Sequence, residues 1–115
     1  MLDRGEFARW REAATTARRG SGINRDAGLH NWACFLAEQS ARLALKALLH
    51  GVGAGAWGHG LVHLGESLAE ATGQVPPDAR ASGPPDAHDG PEDAAQALSD
   101  LDELLAFVDE TWRQV

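Results

Sequence analysis

The chain holds one cysteine, and no run of apolar residues approaches the ~20 that a helical membrane span needs. An internal disulfide is therefore excluded, and no membrane association is expected. The opening residues Met1-Leu-Asp-Arg-Gly-Glu-Phe7 carry no apolar stretch of the kind a secretion signal needs. A cytoplasmic location is the expectation. Positive charge is scarce beyond residue 46: only Arg80 and Arg113 stand there, against twelve acids. With a net charge of −7, the chain is a poor general binder of polyanions, because long-range repulsion opposes phosphate. No Gly-x-Ser-x-Gly, no P-loop and no Gly-x-Gly-x-x-Gly after a strand occurs, so the usual hydrolase and nucleotide-loop motifs are missing. Strand-like alternation and internal repeats are missing too.

What is present is helical periodicity over 115 residues, a length that suits one domain, 1–115, with one modest core. The expected architecture is all-α, an antiparallel up-and-down bundle of four to five helices. Phe7, Trp10, Ala14 and Ala17 step by three and four and predict a first helix over residues 3–19, stopped by Gly20-Ser-Gly22. Residues 28–50 predict a second helix. Leu29, Trp32, Phe35, Leu36, Leu43, Ala47 and Leu48 cover more than one of its sides, so it is expected to be central. The third helix starts near residues 58–60, presents Leu61, Leu64, Leu68 and Ala71 inward, and ends at Gly73. Residues 73–91 form a long Pro- and Gly-rich loop, a length usually functional or mobile. Pro91 opens the last helix, whose inner positions run from Ala94 through Leu98, Leu101, Leu105 and Val108 to Trp112.

Several residue sets invite a chemical reading. His59 and His63 share the i, i+4 spacing of a two-histidine metal site, and His30, Cys34 and Glu38 share a face of the second helix. No third ligand accompanies the histidine pair, so no metal or cofactor is expected. Cys34 lies among apolar residues, which raises a thiol pKa and argues against a nucleophile. The tryptophans Trp10, Trp32, Trp57 and Trp112 read as core or dimer-interface anchors rather than base-stacking platforms. The first 46 residues carry eight of the ten cations and a net charge of +3. Arg18, Arg19, Arg25, Arg42 and Lys46 are the candidates there for holding a phosphate or an acidic partner.

The runs Asn31-Trp-Ala-Cys-Phe-Leu-Ala-Glu-Gln39, Leu45-Lys-Ala-Leu-Leu49 and Gly58-His59 with Leu61 resemble the prokaryotic HEPN domain, named for nucleotide binding in higher eukaryotes and prokaryotes. The family's helix there reads like Phe-x-x-Gln-Gln-Ala-x-Glu-Lys-x-Leu-Lys-Ala-Leu. Arg9-Trp10, Ala13-Ala14, Pro85-Asp86-Ala87 and Glu92-Asp93-Ala94 extend the likeness over most of the chain. The resemblance implies a bundle that is commonly a homodimer and that often pairs with a minimal nucleotidyltransferase as a toxin–antitoxin-like complex. It therefore implies a nucleotide- or RNA-associated binding module. It also implies an alternative, a metal-independent ribonuclease built on an Arg-x(4–6)-His motif. In such an enzyme Arg stabilises phosphate charge and His moves a proton. Arg80 and His88 are the counterparts, assisted by His59, but seven residues separate Arg80 from His88. Arg42-Leu43 also stands where the family has Glu-Lys. The departures favour a binding role over an enzyme, and a dimerisation domain without ligand is the third reading.

Overall fold

The computed structural model describes residues 1–54, 60–77 and 89–115. Among them are four helices and no strand: α1 (Arg4–Asp26), α2 (His30–Gly51), α3 (Leu61–Thr72) and α4 (Pro91–Gln114). The predicted helical bundle is what the chain forms.

α1 begins where the Asp3 carboxylate accepts the Glu6 amide at 3.0 Å, an N-cap that satisfies one of the orphan donors of the first turn. It does not stop at Gly20-Ser-Gly22 as the composition suggests, but continues to Asp26. The glycines serve contact rather than termination. Ser21 is fully buried, and its hydroxyl donates to the Ala33 carbonyl of α2 at 2.6 Å. A Cβ on Gly20 would lie 3.3 Å from Leu36. The true stop is Gly28, whose φ of +79° suits glycine best. There Gly28 donates to Arg25 and Leu29 to Asn24, the paired bonds of a Schellman end. α2 closes in the same way: Gly53 has φ +79° and donates to His50, while Ala54 donates to Leu49. α4 starts on Pro91, with the Asp93 carboxylate accepting the Gly90 amide at 2.8 Å.

Two hydrogen bonds fix the direction of α1 against α2. Ser21 reaches Ala33, and Ser40 reaches the Ala14 carbonyl at 2.7 Å, so the two helices run antiparallel. Two ion pairs do the same for α4. Arg11 meets Asp109 and Arg18 meets Asp102, so α4 is antiparallel to α1 and runs the same way as α2. α2 is the central rod, packed against α1, α3 and α4 alike. One core draws on all four helices, with Leu45, Leu48, Leu49, Leu64, Leu68, Leu104 and Val108 sealed from solvent. At one end Phe7 stacks on Trp112 with centroids 4.2 Å apart, over Gly51.

Some expected inner positions face outward. Trp32 and Leu29 are exposed, while Ala33 and Cys34 beside them turn into the bundle. Ala71, near the end of α3, is exposed as well. No helix of the described residues is long and apolar enough to cross a membrane.

Candidate functional site

Between α2, the first residue of α3 and the first turns of α4 lies a cavity of about 240 Å³. Its floor is apolar, formed by Ala37, Ala41, Leu61, Ala97 and Leu101. Its walls are acidic: Glu38 from α2, then Asp89, Asp93 and Asp100 on and before α4, with Gln96 between. Helical spacing produces the α4 part of this wall, since residues 93, 96 and 100 recur every three or four positions on one face, and Asp89 lies just before the cap. The Glu38 side chain is 2% exposed and is held in a short ion pair with Arg42 one turn later. A buried carboxylate keeps its charge only with such a partner.

Cys34 also lines this cavity. Burial pushes its thiol up to about 11, and the negative charges of Asp89 and Asp93 add to the shift. The raised thiol pKa expected of its apolar surroundings is therefore what the site contains. No group of three or more His, Cys, Asp or Glu side chains among the described residues is arranged to hold a metal ion.

The five cations singled out in the sequence do not converge on one site. Arg18 makes a two-pronged contact with Asp102, at 2.8 and 3.2 Å. The carboxylate hydrogen bond raises the Arg18 pKa further, against a smaller opposing cost of burial. Arg25 pairs with its neighbour Asp26 at 3.3 Å, and both Arg18 and Arg25 border a shallow α1–α4 groove that also holds Glu103. Arg42 is committed to Glu38. Arg19 is exposed. Lys46 sits 5.7 Å from the centre of the Trp10 ring, on the α1–α2 seam. Arg80, His88 and His59 lie outside the described residues, so the arrangement of the ribonuclease candidates is not part of this geometry.

Sequence reasoning missed two participants on that seam. His50 stacks on Trp10 with ring centroids 4.9 Å apart and planes within 10°. Arg9 brings its guanidinium carbon within 5.1 Å of the same ring. The spacing of Lys46 and His50 at i, i+4 was a signal for this cluster, but the contact with Trp10 crosses between helices.

Comparison with known proteins places the fold. The family model of the HEPN domain matches residues 7–83. A crystal structure of TT1696 from Thermus thermophilus superposes with a TM-score of 0.78 at 32% identity, covering 91% of this chain and 97% of that one. The crystal structure of ST0689, an archaeal HEPN homologue, gives a TM-score of 0.69 at 26% identity, covering 90% of this chain and 95% of that one. A search of curated proteins gives no match. The family match, supported by the shared fold, means that this chain belongs to the HEPN domain family.

Proposed function

We propose that this HEPN domain is a binding module that pairs with a nucleotidyltransferase-type protein, in the manner of a toxin–antitoxin pair, and holds a single nucleotide. On this reading it is not itself an enzyme. The observation that carries the reading is the internal use of positive charge. Arg18 and Arg42 are neutralised by Asp102 and Glu38 of the same chain, and Arg25 by Asp26. A strand of RNA needs a row of free cations to release counterions, and among the described residues these three are not free to join one. One small anion, or the surface of a folded partner, makes no such demand. The acidic cavity wall points the same way, since Asp89, Asp93 and Asp100 repel phosphate from that opening.

Self-association completes the proposal. Ile23, Leu29 and Trp32 stay exposed near the turn between α1 and α2, and Trp32 meets Phe35 edge-on at 5.8 Å. Exposed aromatic and aliphatic groups gathered together mark contact surfaces, which supports a homodimer.

The direct test is co-expression with a minimal nucleotidyltransferase from the same source, followed by size-exclusion chromatography with light scattering. Co-elution as a defined complex is the expected result. Elution as separate species, together with RNA cleavage that disappears in His88→Ala, would replace this reading with the ribonuclease one.

A further inference from the structure

The cavity between α2, α3 and α4 is made of two unlike parts. Its floor is apolar, and Ala37, Ala41 and Ala97 stand where longer side chains would fill it. Neither α2 nor α4 reaches across there, and about 240 Å³ is left open. An apolar space without occupant forfeits dispersion contacts along its lining. The acids stand at the mouth rather than the bottom: Asp89 and Asp100 are half-buried, and Asp93 is exposed. Glu38, the buried carboxylate, is matched by Arg42. The three aspartates are not matched in this way. Asp93 accepts the Gly90 amide and Asp100 accepts the Gln96 side-chain amide, both neutral donors that leave the charge in place. Among the described residues, no Lys, Arg or His lines the cavity.

We propose that this cavity takes a linear aliphatic diamine, with its methylene chain on the alanine floor and its two ammonium groups at the acidic rim. The order of groups along the wall carries the inference. Asp93 and Asp100 are seven residues apart on α4, a rise of about 10 Å, and Ala97 lies between them. Acid, methyl and acid along the wall answer ammonium, methylenes and ammonium along the ligand. Size points the same way. Pockets that enclose drug-sized molecules run from about 300 to 1,000 Å³, and this one is smaller, which suits a narrow chain. A bare metal ion would leave the floor uncovered, and the described residues offer no cluster of ligands to hold one. A lysine side chain of a partner protein brings one charge to a rim that is acidic at both ends. The energetics are those of a snorkelling side chain. The methylenes leave water on the floor, while each ammonium stays at the mouth, partly hydrated and beside a carboxylate. The net charge of −7 draws such a cation in. This site is independent of the nucleotide reading and asks for a ligand of the opposite charge.

The test is nuclear magnetic resonance on the full chain labelled with nitrogen-15, read at the backbone amides of Ala37, Ala41, Ala97 and Asp100. The probes are cadaverine, pentylamine (the same chain with one ammonium) and magnesium chloride. Saturable shifts with cadaverine are expected, with binding about fivefold weaker for pentylamine, the usual effect of losing one partly exposed ion pair. Magnesium should leave the amides of Ala37 and Ala41 unmoved. Ala97→Leu fills the floor and keeps every carboxylate, so it should abolish the cadaverine shifts, with circular dichroism showing that the variant folds. The probe series stands on the unaltered chain whether or not that variant folds. Asp89→Asn/Asp100→Asn should weaken cadaverine by about tenfold or more. Glu103→Gln, which removes one charge from the α1–α4 groove, should leave it unchanged. Pentylamine binding as tightly as cadaverine would overturn recognition at two ends. Equal shifts with magnesium and cadaverine, confined to Asp100, would reduce the site to an acidic surface and overturn it. The absence of any saturable shift up to about 10 mM cadaverine would overturn it as well. Each of these failures leaves nucleotide binding and the nucleotidyltransferase pairing untouched.

Discussion

At Gly51 a methyl group has nowhere to go: it would meet the Trp112 ring at 2.6 Å and the Phe7 Cβ at 3.1 Å. The glycine lets three helices close over one stacked aromatic pair. Gly51→Ala should therefore cost about 1–3 kcal/mol, the usual range for overpacking, and lower the melting temperature read by circular dichroism. Gly28→Ala tests a different cause. Open space surrounds that position, but its φ of +79° disfavours a side chain, so a loss on the order of 1 kcal/mol is expected from backbone strain alone. Cys34 gives a prediction with a pH sign. Its thiol ionises at about 11 rather than the 9.0 of an ordinary cysteine, so the folded state binds that proton more tightly than the unfolded chain. The stabilisation is full below pH 9.0 and fades as the pH rises through 11. Alkylation by iodoacetamide at pH 8 should be slow in the native protein and become rapid after unfolding.

The elements show where sequence reading succeeded and where it failed. α4 is legible from end to end, because Pro91 fixes its start and its apolar positions keep one helical face through Val108 and Trp112. The centrality of α2 is equally legible, since its apolar residues cover more than one side and the structure surrounds it. The true length of α1 is not. A Gly-Ser-Gly run is the same string whether it ends a helix or lets a second helix approach, and only the bond from Ser21 to a carbonyl twelve positions away separates the two cases. Ser21→Ala should cost about 1 kcal/mol, a typical net hydrogen bond, while leaving helix content unchanged. Residues 21–26 should show slow amide exchange, as interior helical turns do and as a terminated helix would not. The α1–α4 seam was hidden for a related reason. Nothing in the sequence ties Arg11 or Arg18 to Asp109 and Asp102, which arrive from 98 and 84 positions away. A double-mutant cycle on Arg11 and Asp109 should give a coupling of about 0.5–1 kcal/mol that shrinks with added salt, as partly exposed pairs do.

Across the whole molecule, charge distribution carries the proposed function. The sequence located the cations of the first 46 residues, and the structure shows that three of the five phosphate candidates, Arg18, Arg25 and Arg42, are held in ion pairs. Lys46, a fourth candidate, sits in a cluster on the α1–α2 seam, assembled around a tryptophan that the sequence assigned to packing. The family and the bundle were readable in advance from the Asn31–Gln39 and Leu45–Leu49 runs. The engagement of each cation was not, because ion pairs depend on which helix faces meet. The proposed reading is that this HEPN domain holds Arg18, Arg25 and Arg42 in ion pairs of its own and does not take up RNA strands. Fluorescence anisotropy of a labelled single-stranded RNA of about 20 nucleotides, titrated at ~50 mM and ~200 mM salt, tests it most directly. The expected result is no saturable binding up to roughly 100 µM protein at either salt. Micromolar or tighter binding that falls steeply between the two salts would contradict it.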